Sequence, residues 1–372
     1  MVNSVFSLEL LALTKIAIHI LSDPDIKAIL YKNQTLISSM SAKIWEPIIM
    51  KKWSSSDLPL LLKKKVIALI QPLSVEIDHW TMDHVFILKH YKNESLNKYV
   101  WKDNGTIDRL KTAKKYIQCE SNSFFRRFHM ACGYWLEEEA KQLWEKMPET
   151  SRRRLDAIRV DPLNSQWDHV VKDWIAFLKS GAVDWRKHPF SHPFSWYCLD
   201  NVVIQGNLPQ HLSPQDQLNV FKTMIKGPGS THTKTLCLLK MNAEQFKIRM
   251  KMEPVKVFKS LCNWPMHLLL QEMSDHIFSF LNERQFLQFL IEVVYYKIGF
   301  DWMDCDYVEL LNELWKKCPV HFKQYVESSE FFDILKMALN HDYKEPFHNQ
   351  CPWEYIYDIV SEISFKNKIS NE

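Results

Sequence analysis

Apolar residues recur along this chain at intervals of three and four, the spacing that gathers them on one face of an α-helix. Leu10, Leu11, Leu13, Ile16, Ala17, Ile20 and Leu21 form the first such stripe. It stops before Ser22-Asp23-Pro24, where Asp23 is placed to cap a following short helix with Pro24 at its first position. A second stripe starts at Ser56-Asp57-Leu58-Pro59 and runs through Leu61, Leu62, Val66, Leu69 and Ile70. Pro72 has no N–H to give a helix interior. It therefore ends or kinks that helix and opens another, which carries Val75, Ile77, Trp80, Val85 and Ile87. A polar connector follows at 92–105, with a short extended piece at Tyr99–Trp101. Thr106 then caps a helix bearing Ile107, Leu110, Ala113 and Ile117. Ser213-Pro214-Gln215-Asp216 marks a further start, with the carboxylate near the positive helix end. Loops are expected at 181–193, 205–212 and 226–233. No stretch alternates with period two for long enough to require a sheet. The pattern predicts an all-α fold.

The chain also repeats itself. Leu143-Trp144-Glu145-Lys146-Met147-Pro148 returns as Leu314-Trp315-Lys316-Lys317-Cys318-Pro319, and Leu238-Leu239-Lys240-Met241 is a fainter copy. Phe246 and Phe322 stand at the same offset from Leu238 and Leu314. The copies are spaced by about two units of the roughly 33–47-residue length of helix-pair repeats. A unit of that size cannot bury its own apolar face, so neighbours must stack. The expected architecture is an irregular array of degenerate helix-pair repeats, α-solenoid-like. Residues 128–143 have an ankyrin-like flavour, but the ankyrin Thr-Pro-Leu-His turn and its loop glycines are missing. The domain reading is an N-terminal helical region over 1–105 and one continuous repeat region over 106–372.

Composition narrows this further. Only 7 of 372 residues are Gly, about 2% against a usual 7% or so. Doubly wound sheets, sandwiches and Gly-rich nucleotide loops need more glycine than this; helices joined by polar or Pro corners do not. Aromatics reach 13% with 14 Trp, a supply suited to filling gaps between helices. The formal net charge of +3 is spread along the chain in short runs, such as Lys63–Lys65 and Arg152–Arg154, interleaved with acids. That pattern fits solvated helix faces better than a nucleic-acid stripe. The eight Cys stand singly, without Cys-x-x-Cys, as free thiols of a reducing compartment do. Glu9, Lys15 and His19 interrupt the apolar stretch from Leu8 to Leu21, so neither a signal peptide nor a membrane span is expected. The protein is read as intracellular, in the cytoplasm, and the sequons at Asn33, Asn93 and Asn104 as chance matches.

Asn104-Gly105-Thr106-Ile107-Asp108-Arg109-Leu110-Lys111-Thr112-Ala113, Arg127-Phe128 with Ala131-Cys132, Leu136-Glu137-Glu138, Leu143-Trp144, Asn263-Trp264-Pro265 and Asp306-Tyr307-Val308 together resemble a family of uncharacterised arachnid proteins, best known from spiders. The resemblance covers most of the chain. It implies an all-helical, repeat-like fold and brings no activity, cofactor or site residue with it.

Candidate chemistry is sparse. His129 and Cys132 lie one helical turn apart, but no set of four zinc ligands is apparent, so a packed thiol and a satisfied histidine are expected. His188 and His192 have a spacing of four, yet Pro189 and Pro193 deny them the helix that a metal pair needs. Asp301, Asp304 and Asp306 lack the Gly and Glu of a calcium loop and precede a helix, where carboxylates cap. Gly227-Pro228-Gly229-Ser230 has no phosphate-loop lysine and is read as a turn. Trp144 and Trp315 are expected in the core rather than as stacking platforms for bases. No catalytic, metal or cofactor residue is assigned. The sequence favours a non-enzymatic protein-binding or scaffold role for a helical-repeat surface, with a protein partner and without nucleic acid or membrane. Arg126, Arg152 and Arg153 are the candidate binding positions. The alternatives are an enzyme with a site buried between helices, or a helical-repeat RNA binder.

Overall fold

The computed structural model describes residues 6–24, 26, 42–54, 57–88, 99–157, 166–181, 202, 206–207, 212–226 and 231–351. The named elements among them are all helical, and the one β contact among them is an isolated bridge between Trp101 and Ile107. The chain forms two compact units, one of residues 76–242 and one of residues 2–75 with 243–372.

Helix α1 (Leu8–Ser22), α2 (Ala42–Lys52) and α3 (Leu60–Ala68) belong to the second unit, and α1 packs on α3. Ser7 caps α1 by accepting from the Leu10 N–H at 3.1 Å, and Leu13, Ala17, Ile20 and Leu21 of the predicted stripe are buried. Helix α4 (Ile70–Asp83) takes Pro72 in its first turn, where no intrahelical N–H is required, and from Glu76 onward it belongs to the first unit.

In the first unit α5 (Val85–Leu88), α6 (Arg109–Gln118), α7 (Phe124–Gly133), α8 (Glu137–Lys146), α9 (Glu149–Asp156) and α10 (Gln166–Ser180) precede α11 (Pro214–Lys226) and α12 (Thr231–Lys240). Helix α7 packs against α6, α8 and α10, and its Phe128, Met130, Ala131 and Cys132 are fully buried. Tyr134, Trp135 and Trp174 complete this core, with Trp174 Nε1 donating to the Cys132 carbonyl at 3.0 Å. Each such ring removes roughly 150–250 Å² from water, a gross transfer gain of about 4–6 kcal/mol. The expected cap at Thr106 is replaced by Asp108, which accepts from the Lys111 N–H at 3.0 Å. The reason lies two residues upstream of Thr106. Asn104 Oδ1 takes both the Thr106 N–H and its hydroxyl at 3.1 and 2.7 Å, which holds the turn, and the helix starts only at Arg109.

The second unit resumes with α13 (Ala243–Met252), α14 (Pro254–Leu261), α15 (His267–Met273) and a 3₁₀ turn at Ser274–Ser279. Helix α16 (Glu283–Val293) starts with a reciprocal capping box between Asn282 and Gln285 and runs into a π turn at Val294–Ile298. There the Gly299 N–H reaches back to the Val294 carbonyl at 2.8 Å. The unit ends in α17 (Tyr307–Lys317), α18 (Val320–Glu327), α19 (Phe332–Leu339) and α20 (Phe347–Gln350). Phe278, Phe286 and Phe322 meet edge to face at 5.2–5.7 Å. Among the described residues no helix is long and apolar enough to cross a membrane, and the seven cysteines form no disulfide.

Candidate functional site

Glu76 and His79 are three residues apart on α4, so the helix presents both on one face. His232, in the first turn of α12, meets that face: a ligand atom from each of the three lies within 4.8 Å of the others. The His79 and His232 rings stack with centroids 3.8 Å apart and 21° between their planes. Glu76 Oε2 accepts the Ile107 N–H at 3.2 Å. Among the described residues, the buried Nδ1 of His79 has no hydrogen-bond partner. A buried polar atom left unsatisfied is costly, and it marks the spot where a further group would be held.

Arg109 and Asp83 border this trio. Their side chains are buried and paired, Arg109 through NH1 to Asp83 Oδ2. The other guanidinium arm reaches His232 Nε2 at 3.1 Å, with Asp83 Oδ2 at 3.7 Å from the same nitrogen. An arginine can only donate, so Nε2 of His232 accepts and the ring is neutral with its proton on Nδ1. Burial pushes His79 and His232 well below the usual histidine range, and the Arg109 charge adds to the effect on both; at His79 the neighbouring His232 adds too. Burial also raises Glu76, with Arg109 the main opposing influence.

A third histidine lies beside them. His84 Nδ1 donates to the Trp80 carbonyl at 2.6 Å, which leaves Nε2 to accept from the Tyr134 hydroxyl at 3.0 Å. Both nitrogens are used in the neutral form, and burial pulls the group down to about 4. His84 thus braces Tyr134 and offers no open lone pair.

Chemically, the trio is two neutral imidazoles and one carboxylate, the donors favoured by zinc, iron and cobalt; calcium and magnesium prefer all-oxygen cages. Depressed histidines present their lone pairs at neutral pH without competition from protons. Arg109 pairs with Asp83, and Glu76 supplies the carboxylate of the trio that a divalent cation would meet.

The positions singled out in sequence lie elsewhere. Arg126 is half-buried beside Tyr116 and lowers that phenol against the stronger effect of burial. Arg152 donates to the carbonyls of Trp144 and Glu145 at 3.0 and 2.7 Å, closing the end of α8, and Arg153 forms an exposed pair with Glu149 at 3.1 Å. None of the three joins the trio. His129 Nδ1 donates to the Phe125 carbonyl at 2.8 Å and Cys132 is fully buried, as packed residues rather than ligands. Asp306 accepts the Glu309 N–H at 2.9 Å and caps α17. Trp144 and Trp315 are half-buried; Trp144 packs against the core beside Phe128 and Trp315 beside Phe332, with Arg152 5.4 Å from the Trp144 ring centroid and Lys323 5.8 Å from that of Trp315. His188, His192 and residues 227–230 lie outside the described residues.

Sequence reasoning missed Glu76, His79 and His232. Glu-x-x-His on a helix was the available signal for two of them, since that spacing serves carboxylate-bridged metal sites in helical bundles. His232 comes 153 residues after His79, and no local pattern marks it. Compared with family models, with curated proteins and with solved structures, the chain matches none, so this geometry is what its function must be reasoned from.

Proposed function

We propose that the chain is an enzyme with its site buried between helices, where Glu76, His79 and His232 hold one divalent transition-metal ion. The observation that carries this reading is that ligand atoms of Glu76, His79 and His232 lie within 4.8 Å of one another, with Nδ1 of His79 buried and without a hydrogen bond among the described residues. Three protein ligands leave a coordination position open, the arrangement of catalytic rather than structural zinc. A metal held so brings a bound water to a pKa of about 7 and makes it a nucleophile, so the favoured reaction class is hydrolysis or hydration. An ion held on Nε2 of His232 would take the place of the Arg109 donor, and that guanidinium, anchored through Asp83, would be available to an anionic group on the substrate. Glu76 and His79 are only half-buried, so they form the edge from which a substrate approaches.

The test is equilibrium dialysis against zinc, cobalt(II) or iron(II), followed by metal analysis. One ion per chain is expected, with affinity lowered by at least about a hundredfold in His79→Ala and His232→Ala and less in Glu76→Gln. Thermal melts of the metal-free variants separate loss of the site from loss of the fold. A folded wild-type chain that takes up none of the three metals, or variants that keep full affinity, would overturn the reading.

We also infer that the helices are degenerate repeats. Two stretches in different units support this. Helices α8 and α17 both end in extended backbone, at Met147 (φ −71°, ψ 131°) and Cys318 (φ −61°, ψ 128°), and Pro148 and Pro319 then precede α9 and α18. Leu155 and Val326 at matching positions are fully buried, and the cations of Arg152 and Lys323 cover Trp144 and Trp315. This likeness selects no partner, whereas the ligand trio points to chemistry, so the enzyme reading is preferred to the scaffold one.

A further inference from the structure

The second unit buries a lysine for which the metal reading has no use. Lys297 is 4% exposed and sits in the π turn after α16, a distortion of the helix often found at functional sites. Its ammonium lies 3.6 Å from the ring centroid of Trp302 and 5.4 Å from that of Tyr307. Among the described residues it forms no ion pair and no hydrogen bond. Two more groups in this neighbourhood are unsatisfied. Both carboxylate oxygens of Asp304 are buried without a hydrogen bond, and so is Nδ1 of His267, a residue 3% exposed. Tyr307, beside them, donates its hydroxyl proton to the Cys262 carbonyl at 3.0 Å.

The amine has only ring contacts, and the buried Nδ1 of His267 and the Asp304 oxygens lack a hydrogen bond among the described residues, a set that water or a polar ligand completes. Burial lowers Lys297 against the pull of Asp304 and lowers His267 as well, while it holds Cys262 and Cys305 up at about 12. The thiols therefore keep their protons at neutral pH, and the amine is the group in the cluster that gains nucleophilic character.

We propose that Lys297 is the nucleophilic amine of a second site, which takes small aldehydes and ketones and holds them as an imine. The amine lone pair forms a bond to the carbonyl carbon, and the C=O π pair moves to oxygen, which takes a proton. The carbinolamine then loses its N–H proton and its hydroxyl together as one water, leaving C=N. No electrons are gained or lost, and the carboxylate of Asp304, whose charge acts on Lys297, is the group proposed to carry the proton. Trp302 and Tyr307 supply apolar walls for the carbon chain. The 4% exposure of Lys297 admits only small compounds, past the half-buried Trp302, Met303 and Asp304.

The experiment treats the full chain at neutral pH with acetaldehyde, or with pyruvate, in the presence of cyanoborohydride, and maps the reduced adduct by peptide mass spectrometry. Lys297 is expected to be alkylated at least about tenfold faster than exposed lysines such as Lys111 and Lys344, in line with a larger neutral fraction. Lys297→Arg, which keeps the cation over Trp302, removes that adduct, and Asp304→Asn slows its formation while the chain stays folded by circular dichroism. In denaturant the advantage of Lys297 disappears. Adducts confined to exposed lysines, or a Lys297 advantage that persists in the unfolded chain, would overturn the proposal.

Discussion

A buried histidine that spends both ring nitrogens in the neutral form can take up a proton only by breaking a hydrogen bond. His84 is in that state, between the Trp80 carbonyl and the Tyr134 hydroxyl, with a folded-state pKa of about 4. In the unfolded chain the same side chain titrates near 6.5. Below pH 6.5 the unfolded state therefore binds a proton that the native state refuses. Stability is fully present above pH 6.5 and is lost as pH falls toward 4, by up to about 3 kcal/mol from this residue. His79 and His232 shift in the same direction and steepen the loss. The urea midpoint of the metal-free chain is expected to be level above pH 7 and to drop between pH 6.5 and 4. A midpoint that stays flat across that window would show these imidazoles to be solvated, which would also weaken the case for them as neutral metal ligands.

At the scale of the element, a carboxylate before a helix can serve chemistry or a cap, and Asp306 serves the cap. It is exposed, and its Oδ1 meets the Glu309 N–H at 2.9 Å. Asp306→Ala is expected to cost about 1 kcal/mol in chemical denaturation, and Asp306→Asn to recover most of it, because the hydrogen bond matters more here than the charge. An equal loss in both variants would mean that the carboxylate charge at the helix start matters more than the hydrogen bond. Helices of this kind were legible in sequence because their physics is local: a 3.6-residue stripe, a capping oxygen, a proline with no N–H to lose. Thr106 shows where such reading fails, since Asn104 captures its hydroxyl and moves the helix start to Arg109. On α4 the stripe of Ile77 and Trp80 drew attention to the buried face, while Glu76 and His79 occupied the adjoining one. The buried face announces a helix; polar residues beside it announce nothing until a second element arrives.

At the scale of the whole molecule, the candidate centre exists because the fold of the first unit closes long chain distances. Gly206 illustrates how tightly: a Cβ there would lie 2.5 Å from the Tyr134 carbonyl oxygen, and the next residue donates its N–H to that same oxygen at 2.9 Å. His232 reaches Glu76 and His79 by closure of the same kind, and no window of sequence contains all three. An ion that binds only the assembled trio must then stabilise whatever assembles it, by about 2.7 kcal/mol at a hundred times its dissociation constant. The element with most to gain is α12, which supplies one ligand from its first turn and packs on α11. Hydrogen exchange of the α12 amides is therefore expected to slow by up to about a hundredfold when saturating zinc is added, provided those amides exchange through openings that separate His232 from α4. His232→Ala should abolish the effect without changing exchange in the metal-free state by a comparable factor. Zinc that protects α12 equally in the variant would be binding somewhere else, and the centre would then be an ion-pair network that holds the helices together.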